Sequence, residues 1–486
     1  MEEPQSITIW SSYILIINCI IGAGVLSIPW AYSKGGIILG ISCQLYSSLT
    51  SLIICYQALQ VISRVHKIKH LQSEGYQVSP VPISSLFIKT HPKQFVKLDS
   101  KSEESDSVSD PISESELVIT DHICDVTEMV NILLGNTQGI IFNVFFSFSM
   151  FFALVAYSSI FSSSLASIIP IGPLSTCNIY EDPEYFGDSC WRKYWFYVSI
   201  FLIITNILSL IKPKEQIWFQ GSMTVMRFLV ITLIIITCII ALAQDKNLDD
   251  DDENEGDLTL FNISALGVTM PIIFFANSFQ YFIPNAIQWM EHKKKNAPLL
   301  MNLSVLTVTI GFVAVGITMS FAVNDVNQMA TLEWDGYTGG HSESSWWSRM
   351  IELIIIIFPA IDMVSIFPLV SINFSENLMS ILNIQYKNQD LSNLKVTLVR
   401  LGLCTFPILV SVFFFEVGYV GDIGGVFSIV CTGIYFPLMA LASKKIVTKR
   451  GEYDNWFYED WYAWSLLTSQ FIITILCTVL LMLWVS

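Results

Sequence analysis

Charged residues are what this sequence has least of for its size. Only 14% of its 486 residues are Asp, Glu, Lys or Arg, against about 25% in a typical soluble domain. That shortage argues against a soluble enzyme and against a string of soluble domains, the default at this length. Basic residues are the scarcer sign: 25 Lys and Arg against 41 Asp and Glu, a net charge of −16. A chain with that balance is ill suited to a phosphate backbone, so nucleic acid is excluded as a partner. Six histidines lie in loops or at their edges, and ten cysteines form no CxxC and no Cys/His cluster. No zinc or iron–sulfur site and no resident cofactor is therefore expected. HxxxxD, HExxH, GxSxG and Asp-His-His-Cys patterns are all missing, so a polytopic membrane enzyme has no support. There is also no basic stretch before the first apolar run, which begins after MEEPQS. That run is too long for a signal-peptide core and reads as a retained span.

Apolar length is what remains: 53% of the residues are hydrophobic. A membrane span needs about 20 mostly apolar residues. Eleven segments qualify, at 7–32, 36–62, 137–168, 194–210, 217–243, 262–288, 299–323, 349–371, 396–416, 421–443 and 462–485. The expected fold is all-α and polytopic, with residues 1–6 as a short cytoplasmic N-terminus and 7–485 as one transmembrane domain. With the N-terminus in the cytosol, the inner loops carry eighteen Lys and Arg and the outer side five. This positive-inside bias sets the orientation. Arg227 and Arg400 fall inside spans, a few turns from the cytoplasmic end, where reaching back to the interface is the expected behaviour.

The largest inner loop is 63–136. Its acidic, Ser-rich stretch 99–125 cannot bury apolar surface, and 99–119 is expected to be disordered. Ser100, Ser107 and Ser113 each have an acid three residues on. That pattern suits an acidophilic kinase as a partner, or simply a solvated spacer. Residues 120–135 place Val126, Met129, Val130 and Leu133 on one helical face, an amphipathic lead-in to span 3. The outer loop 244–257 carries eight acids and one Lys, either a lure for cations or a solvated turn. Cys177 and Cys190 stand on the non-cytosolic side and are a candidate disulfide. The sequon at Asn262 lies too near the bilayer edge for glycosylation.

Two spans are interrupted in the same way. Span 1 has Gly22, Ala23 and Gly24 at mid-membrane and then Pro29; span 6 has Ala276, Asn277 and Ser278 and then Pro284. Unpaired backbone groups are costly in lipid, so such breaks line a cavity or bind something. Packing kinks built on small residues are the alternative. The breaks are five spans apart, as an inverted five-plus-five repeat with a midplane site requires. Asp362 lies at mid-membrane in the apolar run IIIIFPAIDMVSIFP, which makes it a functional residue by default. With Asn18 in span 1 and Ser365 one turn on, it makes an oxygen cage for a monovalent cation such as Na⁺. Alternatively it carries a proton, which an apolar setting favours, or it is neutralised by Arg227 or Arg400.

These residues resemble the amino acid/auxin permease family, the amino acid transporter transmembrane domain of the APC superfamily. IINCIIGAGVLSIPWAYSKGG resembles the family's first span and DVTEMVNILLGNTQG the lead-in to its third. FANSFQYFIPN with EHKKKN resembles its sixth span and basic loop, and SIFPLV the end of its eighth. The likeness covers nearly the whole chain. It implies a LeuT-like fold of eleven spans, two inverted five-span units plus one, and secondary active transport of amino acids coupled to Na⁺ or H⁺. Carried over, Asn18 matches the family's cation-site asparagine, and Gly22 and Gly24 match the unwound segment that receives the substrate carboxylate. Two departures stand out. Ser278 and Phe279 replace a Cys-His pair that many members carry, and Asp362 stands near a family hydroxyl position.

The expected mechanism is symport of a neutral amino acid by alternating access. Backbone amides at Gly22, Ala23, Gly24 and Val25 hold the carboxylate, helped by a half-helix dipole. Asn277 and Ser278 take the amino group, and Phe274, Phe275 and Tyr157 wall the pocket. Asn18, Asp362 and Ser365 couple the ion. The competing reading is an amino acid receptor that keeps the site but does not transport. The membrane is the plasma membrane or that of a vacuole- or lysosome-like compartment.

Overall fold

Breaks and corners, more than helices, organise this chain, and glycine makes several of them. The computed structural model describes residues 8–22, 24–88, 95–97, 117–120, 124–171, 176–180, 189–210, 217–244, 259–288, 290–323, 326–340, 344–381 and 394–485. The first span is two helices, α1 (Ile9–Ile20) and α2 (Gly24–Gly35), bent by 49°. Thr8 caps α1 through its side chain, leaving fewer orphan amides at that end. Gly36, at φ +83°, turns the chain into α3 (Ile37–Ser73). A Cβ there would stand 2.6 Å from backbone atoms of Leu260 and Phe261. Only glycine combines that conformation with that approach.

α3 runs to Ser73 rather than ending at 62. Its cytoplasmic extension is held by Arg64 on Asp454 at 2.7 Å and Lys69 on Glu128 at 2.6 Å. Next come a strand, β1 (Tyr76–Val78), the short α4 (Ile83–Leu86), and β2 (Phe95–Lys97), antiparallel to β1 with Tyr76 opposite Lys97. This two-stranded sheet is the exception to an all-α expectation. Asp125 caps α5 (Val126–Leu134), and its inward face is the expected one: Val126, Met129, Val130 and Leu133 are buried. The stretch 99–119 needs correction at its end, because Leu117 and Ile119 are buried in the main core. They open an apolar Leu-Val-Ile run that follows the acids. Ser100, Ser107 and Ser113 lie outside the described residues, as does nearly all of the acidic loop 244–257.

The remaining helices are α6 (Asn136–Ile168), α7 (Ser189–Leu208), α8 (Ile217–Ala243), α9 (Leu266–Ala276), α10 (Ile283–Ile287), α11 (Lys293–Ala322), α12 (Trp346–Ile381), α13 (Leu394–Val410), α14 (Val417–Ser428), α15 (Tyr435–Ile446) and α16 (Asp460–Val485). Among the described residues, eight spans are long and apolar enough to cross a membrane, nine with the bent α1–α2 pair. The expectation of eleven also needs α7 and α13. Arg192 and Lys193 open α7, and the apolar part of α13 is short, Thr397–Val410. α14 and α15 join through a π-helical turn, Ile429–Ile434. α14 begins four residues before the expected 421, which moves Asp422 from a span's edge into its body. α16 stands at the periphery, and its Phe471, Ile475, Met482 and Leu483 face outward, as a lipid-facing helix requires.

Cys177 and Cys190 are joined, with Cα atoms 5.7 Å apart. Closing a loop of this size contributes about 3 kcal/mol by chain entropy. A thiol-reactive polymer should therefore add to the pair only after reduction, read as a gel shift absent from Cys177→Ser/Cys190→Ser. Labelling without reductant would mean the bond does not form in the cell.

Candidate functional site: a cavity between two helix breaks

The two breaks face each other. A Cβ on Gly24, the first residue of α2, would lie 2.5 Å from Ala276 Cβ and 2.6 Å from Ala276 Cα at the end of α9. Beside this contact is a cavity lined by Cys19, Ile20, Gly22 and Gly24 of the first span, Ser149, Met150, Ala153 and Tyr157 of α6, Phe275, Ala276, Ser278 and Tyr281 of the second break, and Ser428 of α14. No charged side chain is among these. The N-terminus of α2 and the C-terminus of α9 both open here, with the carbonyls of Ile273, Phe274 and Phe275 already accepting from Asn277 and Ser278.

The expected site residues divide. Gly22, Gly24, Tyr157, Phe275 and Ser278 line the cavity; Ala23 lies outside the described residues. Gly22 N–H is already given to Ile20 O at 2.9 Å, and Val25 N–H to Gly22 O at 3.4 Å. Two of the amides assigned to a carboxylate are thus partly engaged, and Val25 faces a second cavity. Asn277 turns away to α3: its Oδ1 accepts from Gln44 at 3.4 Å, and its carbonyl accepts from Ser51 at 3.3 Å and Gln280 at 3.2 Å. Phe274 packs on Tyr46 of α3, ring centroids 6.1 Å apart. The residues that the sequence reading missed here, among them Cys19, Ile20, Ser149, Met150, Ala153, Tyr281 and Ser428, carry no pattern that marks them.

The cation cage needs the larger correction. Arg227 of α8 does not reach back to the interface; it is 1% exposed. Its Nε donates to Asp362 Oδ2 at 2.9 Å and its Nη2 to Asp362 Oδ1 at 2.6 Å. Its Nη1 donates to Asn18 Oδ1. Thr224 donates to the same oxygen at 2.5 Å, and Asn18 Nδ2 donates to the Gln220 carbonyl at 3.0 Å. Asp362 is therefore not a lone carboxylate, and a guanidinium sits among the oxygens expected to ligate Na⁺. Ser365 stands apart: its carbonyl accepts from Gln220 Nε2 at 2.8 Å, and its hydroxyl has no protein partner among the described residues. The Arg227–Asp362 pair instead walls the second cavity, on the other side of Gly22, with Val25, Pro29, Thr331 and Phe358. Arg400 is buried as well and lies 3.7 Å from Glu376. Asn262 is occupied locally, its amide donating to the Lys34 carbonyl at 3.2 Å.

A helical bundle of membrane spans with an uncharged cavity between two opposed helix breaks defines a multi-pass membrane protein built to hold a small solute. The comparisons name the kind. Residues 129–358 match the family model for "Amino acid permease" and residues 5–78 that for "Transmembrane amino acid transporter protein". The two matches support an amino acid permease or transporter family. They indicate a non-enzymatic, multi-pass membrane transporter. The chain is 24% identical over 460 residues to a Dictyostelium discoideum protein described as "Transmembrane protein 104 homolog", covering 89% of this chain and 87% of that one. Among solved structures, the manganese transporter of Eremococcus coleocola, in complex with an aromatic bis-isothiourea substituted compound, aligns with 97% of this chain and 85% of that chain. The identity is 10% and the TM-score 0.45.

Proposed function

We propose that this chain is a secondary active transporter of neutral amino acids, working by alternating access with its N-terminus in the cytosol. The observation that carries the reading is the cavity that touches both the start of α2 and the end of α9. A zwitterion fits two opposed helix ends: the carboxylate meets the positive end of α2 and the amino group the negative end of α9. Tyr157, Phe275, Met150 and Tyr281 wall the substrate side chain. The lack of a charged lining residue favours a neutral substrate, since a charged one would enter unpaired.

Arg227 supports a further point about coupling. The position between Asn18 and Asp362 is already filled by the Arg227 guanidinium. A Na⁺ ion would have to displace it. Transport is therefore independent of Na⁺ at this site, and a proton is the coupling ion. Proteoliposomes offered a panel of amino acids, with Na⁺ and pH gradients imposed separately, test this. Accumulation driven by pH and indifferent to Na⁺ is expected. Accumulation driven by Na⁺ alone would overturn the coupling. Saturable binding without flux would assign the receptor reading instead.

A further inference from the structure

Asp422 plays no part in the site described above, yet it is a deeply buried carboxyl. It is 0% exposed, and neither side-chain oxygen has a hydrogen-bond partner among the described residues. Its surroundings explain why. Gly418 and Gly425, four residues before it and three after, share its side of α14. A Cβ on Gly418 would lie 2.7 Å from the Trp30 ring of α2, and one on Gly425 would meet the backbone of Pro271 in α9. Asp422 therefore sits on the seam where α14 closes on both broken spans. Pro271 has no N–H to offer, and Thr269 is committed to the Ala31 carbonyl at 3.1 Å.

The titratable groups on the packed elements are few. α9 has none; α6 has Tyr157; α2 has Tyr32 and Lys34; the π turn has Cys431. α16 brings Asp460 and Tyr462 at its far end and Cys477, which lies within electrostatic reach of Asp422; α3 brings Cys43. On α14 itself Tyr419 lies three residues earlier, its ring against Trp30, and the half-buried Glu416 occupies the N-cap position of the helix six residues earlier, with Gln328 3.5 Å away. Among the described residues, no basic side chain pairs with Asp422.

We propose that Asp422 is the proton-binding residue of the transport cycle; this rests on the transporter reading above. An unpaired carboxylate in this seam is costly as an ion. With the seam closed the group is the neutral acid. To ionise, it must reach water, which requires α14 to part from α2 or α9. One proton adds to the carboxylate from the water at the Glu416 end, and the seam closes over it. The same proton leaves to water on the other side once the bundle has rocked. Ser428 lines the substrate cavity six residues further along α14, about 9 Å away at 1.5 Å per residue. Proton and solute thus bear on the same helix, and the π turn at its end provides a place to flex.

Asp422→Asn keeps the shape and fixes the neutral form. In proteoliposomes it should retain amino acid counterflow but lose proton movement with substrate and lose pH-driven accumulation. Asp422→Glu should restore both in part. Proton-coupled accumulation by Asp422→Asn would overturn the proposal. Infrared difference spectra of the purified full chain, acidic minus alkaline buffer, supply a readout independent of transport. A carboxylic C=O band present in wild type and absent from Asp422→Asn is expected; identical spectra would overturn the assignment. If wild type takes up no amino acid, the transporter reading fails while the band still identifies the proton site.

Discussion

Replacing Arg227 by leucine is expected to destabilise the protein by about 3–5 kcal/mol, because it leaves Asp362 as an uncompensated buried charge. The double variant Arg227→Leu/Asp362→Leu is expected to regain most of that loss. A buried pair exchanged for apolar side chains is commonly neutral or stabilising by about 1–4 kcal/mol. Function should separate from stability in this series. The double variant folds but loses the Nη1 bond to Asn18, and with it the tie among α1, α8 and α12 next to the first-span break. Thermal unfolding in detergent together with uptake reads both effects. Asp362→Asn probes the same tie from the other side, leaving the guanidinium without its counter-charge. If Arg227→Leu is as stable as wild type, the two groups do not form an ion pair in the membrane.

The sequence shows the breaks better than it shows the side chains that meet in them. Gly22, Gly24 and Pro29 interrupt one apolar run and Asn277, Ser278 and Pro284 another, and backbone geometry alone makes that visible. Which residues then turn inward is decided by rotation about the helix axis, at about 100° per residue. So Phe275 and Ser278 line the cavity while their neighbours Phe274 and Asn277 face α3. The partner of Asp362 left a trace in the sequence. Gln220, Thr224 and Arg227 recur at i, i+4 and i+7 in α8, a polar stripe in an otherwise apolar helix. A stripe of that kind needs polar company, whereas snorkelling needs none. Asp422 is harder to see, because VGYVGDIGG is so rich in glycine that it resembles the approach to a span. Its helix forms because three of those glycines allow close contact with Trp30, Phe275 and Pro271.

Gly24→Val is expected to abolish substrate binding, whereas Gly22→Ala leaves it nearly intact. The contrast follows from what a Cβ would meet. At Gly24 it would press on Ala276 Cβ and Cα, at 2.5 and 2.6 Å, and main chain cannot swing aside as a flexible side chain can. At Gly22 the nearest atoms are Ile366 Cδ1 at 3.6 Å and the Tyr157 hydroxyl at 3.8 Å, ordinary contact distances. Overpacking at Gly24 should cost about 1–3 kcal/mol of stability, which a membrane bundle of this size survives. The functional loss is larger, because valine holds the start of α2 away from the end of α9. Those two helix ends are the ones proposed to grip the carboxylate and the amino group. Equilibrium binding of a labelled substrate to purified protein separates the outcomes, with thermal unfolding to confirm that each variant is folded. Wild-type affinity in Gly24→Val would show that the contact is a packing kink and that the solute is held elsewhere.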